Sequence, residues 1–235
     1  MTETTTTAQA VTRGLAAALW DFDGTLADTE PLWIAAEFEL IESLGGTWSD
    51  DHADQLVGNS LIDSGSYILN VIGRPDLSPA WVVEQLISRV VATLSTRPMP
   101  WRPGALDLLR SFAAAGVPCA LVSASYRVLL DAALAQLPPG TFAVSVAGDE
   151  VTRGKPHPEP YEKACAALGV DARRCVVFED SVTGARSGNA SGALVIAVPN
   201  QVDVPPAPRR VTRGSLVGLD AAAVGRLLAE VNGLG

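Results

Sequence analysis

Asp21 and Asp23, in the stretch ALWDFDGTLADTEP, close a hydrophobic run with two carboxylates flanking one phenylalanine. Carboxylates are rarely buried unless something pairs with them. The pair therefore either opens a solvated turn with Gly24 or forms the floor of a cation site. A second acidic pair, Glu179-Asp180, closes the run CVVFED, and Lys155, one of two lysines in the chain, stands in the proline-stiffened RGKPHPEP. Three or four carboxylates at one point repel one another and drift to raised pKa values unless a cation sits among them. Magnesium suits such a donor set, because it takes hard oxygen ligands and keeps water and substrate phosphate in its shell. Asp21, Asp23, Glu179 and Asp180 are thus the candidate metal ligands. Lys155 is the candidate countercharge for a phosphate. Ser123, ending the run VPCALVS, is the candidate hydroxyl donor, helped by the main-chain N–H groups of Ala124 and Ser125. The same Ser123 would equally serve as a helix N-cap.

The elements that must bring these residues together are legible as an alternation. The runs at 117–123, 142–148, 175–180 and 193–198 are short, apolar and bounded like buried strands, with amphipathic stretches at 103–116, 126–137, 158–169 and 181–192 between them. That alternation predicts an α/β fold with a mostly parallel sheet covered on both faces, its first strand being GLAAALWDFD. Two residues apart on that strand, Asp21 and Asp23 share one face while Phe22 points to the other layer. Ligands of such sheets sit beyond the carboxyl ends of the strands, where all the candidates fall.

Residues 31–97 break the rhythm. Ile34, Phe38, Ile41 and Leu44 recur at helical spacing, SPAWVVEQLISRVVATLS is a second helical stretch, and no strand separates them. The expectation is an all-helical cap over 31–97 inserted into a core made of 15–30 and 98–235, behind a polar, disordered tail at 1–14. The Pro-rich VPNQVDVPPAPRR reads as a surface loop before a last helix.

Bulk properties narrow the partners. Formal net charge is −9 with no Lys/Arg block, which argues against nucleic acid and anionic membranes as partners. No apolar run is long enough to cross a bilayer. The polar N-terminus lacks a signal sequence, and Cys119, Cys165 and Cys175 are odd in number with no C-x-x-C spacing. A cytoplasmic protein without disulfides or zinc is expected. His52 and His157 lack a nucleophile to serve, and there is neither a G-x-S-x-G nor a P-loop. Trp48, Trp81 and Trp101 read as packing residues, while Trp33 lies close enough to the first strand to border the site.

DFDGT, the strand ending in Ser123, KPHPEPY and EDSVTG resemble, in order and spacing, the four motifs of the haloacid dehalogenase superfamily, and the helical insertion resembles its cap. Within it the chain is most similar to the branch holding β-phosphoglucomutase, phosphoglycolate phosphatase and sugar-phosphate phosphatases. The resemblance implies that Asp21 is a nucleophile forming an aspartyl-phosphate. It makes Asp23 the acid and base that also binds the metal through its main-chain carbonyl. It sets Ser123 and Lys155 on the phosphoryl oxygens, and Asp180 with Glu179 on magnesium. Gly24 and Thr25 would begin a flap, and the segment around Thr29 a hinge for cap closure.

Two departures shape the expected activity. The branch's mutases carry a histidine twelve residues after the nucleophile, where this chain has Trp33, and a cap arginine where GNSL supplies Leu61. A mutase must grip a bisphosphate at both ends, so a phosphatase is expected, acting on a small phosphorylated metabolite, with Gly58, Asn59 and Ser60 as cap-side selectors. A phosphomutase is the nearest alternative. A dehalogenase, a phospho-accepting receiver and a non-catalytic binding protein fit less well, the receiver because such modules lack a large cap and the binding protein because every motif position carries a competent residue. A monomer or small homo-oligomer is expected.

Overall fold

Five short, mostly apolar runs and an edge strand Arg-Val-Thr pair side by side into one sheet in the computed structural model, which describes residues 14–56 and 59–233. The strands are β1 (Ala17–Trp20), β2 (Cys119–Val122), β3 (Val144–Val146), β4 (Cys175–Glu179), β5 (Leu194–Ala197) and β6 (Arg210–Thr212). Their order is β3-β2-β1-β4-β5-β6, and every pairing is parallel. The chain thus winds outward from β1 in one direction and then, through β4, in the other. The crevice at that reversal is where sheets of this kind bind ligands.

Alternation along the strands divides the core into two layers. Ala18, Trp20, Leu121, Val176, Phe178, Leu194 and Ile196 face one side, where Trp20 stacks on Phe178 at 4.3 Å between ring centroids and meets Phe112 edge-on. Ala17, Leu19, Ala120, Val122, Val177 and Val195 face the other, against Tyr161, Ala164 and Ala185. With both faces covered, the strands can be apolar throughout, as a buried parallel sheet requires.

After β1 the chain first runs through four helices, α1 (Glu30–Ser43), α2 (Asp50–Asp54), α3 (Leu61–Ile72) and α4 (Pro79–Leu94). Ser60 and Ser78 begin α3 and α4 by accepting the N–H groups of Asp63 and Trp81, satisfying donors that a helix start leaves open. The outgoing and returning linkers run together: Asp28 N–H donates to Pro100, Arg102 N–H donates to Leu26, and Asn200 from beyond β5 donates to the Asp28 carboxylate. The remaining helices, α5 (Ala105–Ala114), α6 (Arg127–Leu134), α7 (Glu159–Leu168), α8 (Val182–Ala190) and α9 (Ala221–Val231), flank the sheet. No helix among the described residues is long and apolar enough to cross a membrane.

Three expectations need correction. The first strand ends at Trp20 rather than carrying on through Asp23, whose segment turns back to bridge Ala27. The sixth strand begins at Arg210, inside the stretch read as a loop; three residues of edge strand leave too little periodicity to detect. The helix after Ser123 begins only at Arg127, with Tyr126 at its N-cap, so Ser123 caps no helix. The expected tail, apart from Gly14, lies outside the described residues.

Candidate active site

Strand register builds the site. Trp20 pairs with Phe178 on one side and Leu121 on the other, so the residues that follow each, Asp21, Glu179 and Val122, come level at the sheet edge. Lys155 reaches this edge from the loop before α7. Its ammonium donates to Asp21 Oδ1 at 2.6 Å, Glu179 Oε1 at 2.7 Å and the Val122 carbonyl at 3.0 Å, with its side chain 6% exposed. The Tyr161 hydroxyl donates to Glu179 Oε1 at 2.6 Å, and the Ser181 hydroxyl donates to Oε2 at 3.2 Å. Asp180 lies beside them, its Oδ1 accepting the Thr25 hydroxyl at 3.0 Å. Gly24, at φ +81°, lies so close to this carboxylate that a Cβ there would fall 2.1 Å from Asp180 Oδ2. Only glycine permits both the backbone and the approach.

Oxygens of Asp21, Glu179 and Asp180 lie within 4.8 Å of one another. One ammonium faces three carboxylates, and the electrostatics show the deficit. Burial, reinforced by Glu179, pushes Asp21 well above the usual carboxylate range despite Lys155. The same two causes push Asp180 up to about 7. Burial alone would lower Lys155, but the charges of Asp21 and Glu179 win and hold its pKa above that of a free lysine. An all-oxygen cluster with excess negative charge fits a hard divalent cation. The main-chain carbonyl of Asp23, to which no described residue donates, is a further oxygen that could serve such a cation. Because three hydrogen bonds already occupy Glu179, Asp21 and Asp180 are the more available carboxylates.

The Asp23 side chain belongs to a different network. Its Oδ1 accepts the Thr29 hydroxyl at 2.6 Å and the Trp33 indole N–H at 3.3 Å. Its Oδ2 accepts the Ser125 hydroxyl at 2.7 Å and the Ser123 hydroxyl at 3.2 Å. Two of these donors come from the loop after β2 and one from α1, so a sheet-edge loop and the helical segment after β1 both hold this carboxylate. Sequence reasoning overlooked the Ser125 side chain, Tyr161 and Thr29 as a ligand of Asp23. The one available signal for Ser125 was its spacing of two from Ser123 in SAS.

Other expected positions are placed elsewhere. The Ser125 N–H donates to Ser123 Oγ and so is already engaged, while Ala124 beside it is exposed. Asn59 is exposed and donates back to the Gln55 carbonyl at the end of α2; no described contact brings it to the carboxylates. Ser60 caps α3, and Gly58 lies outside the described residues. His52 packs on Trp48, and His157 accepts the Glu159 N–H, so both are structural.

One buried carboxylate was not anticipated at all. Glu37 on α1 accepts the Trp48 indole N–H at 3.2 Å, and burial, with Glu30 adding to it, pushes its pKa up to about 7. An acid whose folded pKa is raised binds its proton more tightly in the native state. Its effect is therefore absent below about pH 4.5 and destabilises increasingly between about pH 4.5 and 7. Glu37→Gln removes that effect, so its thermal midpoint should pull ahead of the wild type across this window and plateau above it, at up to about 3 kcal/mol. Unfolding scans from pH 4 to 8 that show no such divergence would contradict this reading.

A sequence model described as haloacid dehalogenase-like hydrolase matches residues 18–198. Hexitol phosphatase B of Escherichia coli (strain K12) is 32% identical over 197 residues, covering 80% of this chain and 85% of that protein. The crystal structure of CbbY from Rhodobacter sphaeroides in complex with phosphate superposes with a TM-score of 0.76 at 27% identity, covering 87% of this chain and 96% of that one. A β-phosphoglucomutase from Clostridium difficile shares the fold, at a TM-score of 0.74 and 20% identity over 92% of this chain and 98% of that one.

Proposed function

Because this chain belongs to the haloacid dehalogenase-like hydrolases, we propose that it is a small-molecule phosphatase working through an aspartyl-phosphate on Asp21. The observation that carries the reading is the buried Lys155 ammonium between Asp21 and Glu179, with Asp180 alongside and Asp23 held separately by four donors. One carboxylate is thereby set for covalent attack and another for proton transfer. The substrate is a small phosphomonoester, a sugar, polyol or glycolate phosphate, in keeping with the hexitol phosphatase among its relatives.

In the first half-reaction an Asp21 oxygen attacks phosphorus in line, and the bond to the leaving alcohol breaks. Asp23 gives its proton to the departing alkoxide. In the second half, Asp23 takes a proton from a water that attacks the phosphorus of the aspartyl-phosphate, releasing inorganic phosphate and Asp21. Splitting hydrolysis this way turns one difficult displacement into two easier ones. Lys155 supplies fixed positive charge to the phosphoryl oxygens in a buried site, where it acts more strongly than in water. Ser123 adds a hydroxyl donor. The Trp33 N–H on Asp23 links cap position to the proton-transfer group, so the acid is held in place when α1 lies over the site.

Magnesium is the proposed metal, held by Asp21 and Asp180 with the Asp23 carbonyl and Glu179 behind them. When bound, it would supply the countercharge that keeps Asp21 ionised and would polarise the phosphoryl group. The free, buried state of Cys119, Cys165 and Cys175 supports a cytoplasmic setting. The net charge of −9 supports a small metabolite over nucleic acid as partner. Trp33 and Leu61, where a mutase would carry its helpers, favour hydrolysis over transfer between two positions of one sugar.

A phosphate-release screen over sugar, polyol and glycolate phosphates, with an aryl phosphate as generic substrate, tests the assignment. Release is expected with magnesium and should fall by at least about a hundredfold with a chelator. A folded protein that releases no phosphate from any of them would refute it.

A further inference from the structure

Lys155 has to keep its ammonium in place while the charge around it changes. In the resting site Asp21 and Glu179 draw it in. Once an Asp21 oxygen bonds phosphorus, that carboxylate is spent as a partner, and the ammonium must stay with the phosphoryl oxygens instead. Its four-carbon stem is flexible, so the main chain of its loop has to supply the precision.

Packing does not hold that loop. Thr152, Arg153 and Gly154 are exposed, and nothing lies within 4 Å of where a Cβ on Gly154 would stand. Hydrogen bonds hold it, and two of them come from one side chain. Glu159, the first residue of α7, turns back to accept the Thr152 N–H on Oε1 at 2.6 Å and the Arg153 N–H on Oε2 at 3.1 Å. Two residues of chain span at most about 7 Å, so this clamp lies no farther than that from the backbone of Lys155.

The other tethers fix the ends of the loop. Lys163, one turn beyond Glu159 on α7, donates to the Glu150 carbonyl, and the Glu150 carboxylate is gripped by Arg127 of α6. On the far side of Lys155, the Ser187 hydroxyl of α8 donates to the His157 carbonyl at 2.6 Å. Glu159 alone fixes the stretch between Glu150 and Lys155. A carboxylate suits that task, because two consecutive N–H groups need two acceptor oxygens, and glutamine offers one oxygen and an amino group that only donates. The Thr152 N–H holds Glu159 below the usual carboxylate range, as expected of an ionised acceptor in use.

Resting on the phosphatase reading above, we propose that Glu159 is a positioning residue for the reaction, its carboxylate clamping the Thr152–Arg153 main chain so that Lys155 stays on the phosphoryl oxygens as Asp21 becomes covalently engaged. Glu159 acts only through Lys155. Its effect therefore falls on kcat, where the ammonium has lost Asp21 as a partner, and it vanishes when Lys155 itself is gone. Misplacing such a group by about 1 Å costs up to about a hundredfold in rate.

The test measures steady-state phosphate release from p-nitrophenyl phosphate, with magnesium, for wild type, Glu159→Ala, Lys155→Met and the double variant. Glu159→Ala should lower kcat by about tenfold, and Glu159→Gln, which keeps one acceptor, by less. In the Lys155→Met background either substitution should change kcat by less than about twofold, because residues that act through one another do not add. A merely structural role would lower kcat by the same factor in both backgrounds. Binding of orthovanadate, followed by titration calorimetry, runs the same cycle where Lys155→Met turns over too slowly to time. Glu159→Gln carries the cycle if Glu159→Ala does not fold. Equal factors in the two backgrounds, or a wild-type kcat in a folded Glu159→Ala protein, would overturn the proposal. A wild type that releases no phosphate sinks the phosphatase reading instead, whereas an active wild type with equal factors sinks only the role given to Glu159.

Discussion

Replacing Asp21 with Asn is expected to abolish phosphate release from every substrate while leaving the protein folded and more heat-stable in the absence of metal. The amide has the shape of the carboxylate, and its oxygen can still accept the Lys155 N–H that Asp21 Oδ1 receives at 2.6 Å. What disappears is the nucleophile, so the covalent route closes and the rate should fall by about 10⁴-fold or more. The stability change follows from the same charge. Asp21 is buried, and both its burial and Glu179 raise its pKa, which means the fold holds this carboxylate at a cost. Asparagine relieves that cost without unpairing Lys155, which keeps Glu179 at 2.7 Å. Steady-state phosphate release and a thermal melt with chelator measure the two effects. Full activity in a folded Asp21→Asn protein would move the nucleophile elsewhere.

Lys155→Met should have the opposite effect on stability and nearly as large an effect on rate. The methionine fills the space but leaves Asp21, Glu179 and Asp180 facing one another without the ammonium that ties two of them together. Breaking a buried ion pair by removing one partner costs about 3–5 kcal/mol, because the remaining charge stays buried. Part of that loss is recoverable by adding magnesium, which can replace the missing countercharge, so the melting temperature of the variant should rise more with magnesium than that of wild type. Loss of a fixed positive donor to the phosphoryl oxygens should lower kcat by about 10²–10³-fold. A Lys155→Met protein that melts at the wild-type temperature would show that the ammonium is not holding this cluster together.

The charged half of the site was legible before any fold was known, because carboxylates at the ends of apolar strands contradict the usual partition of charge and core. Asp21, Asp23, Glu179 and Asp180 stood out for that reason, and Lys155 as one of two lysines, held in a proline-stiffened loop. Residues whose polarity breaks no rule did not. Ser125 is a loop serine like many others, and only its 2.7 Å bond to Asp23 gives it a place in the site. Tyr161 lies in a helix as an ordinary amphipathic residue, and its role under Lys155 and Glu179 depends on α7 packing against the sheet. Glu37 sits on a helix rich in glutamates, and the sequence does not say which of them faces inward. Asn59, by contrast, was a plausible selector by position and is instead turned back onto α2.

The sequence by itself determined the alternation of strands and helices, the helical insertion after the first strand, and the set of charged groups delivered to the strand ends. All of these are local: they depend on periodicity and on composition within one element at a time. Tertiary structure alone decided that β1 lies between β2 and β4, with Trp20 level with Phe178 and Leu121. That register converts carboxylates more than 150 residues apart in the chain into a cluster within 4.8 Å. Tertiary structure also decided that α1 lies where Trp33 reaches Asp23. Pairing and packing of this kind are cooperative properties of the whole chain, fixed by which distant surfaces bury best against one another, and no window of neighbouring residues contains them.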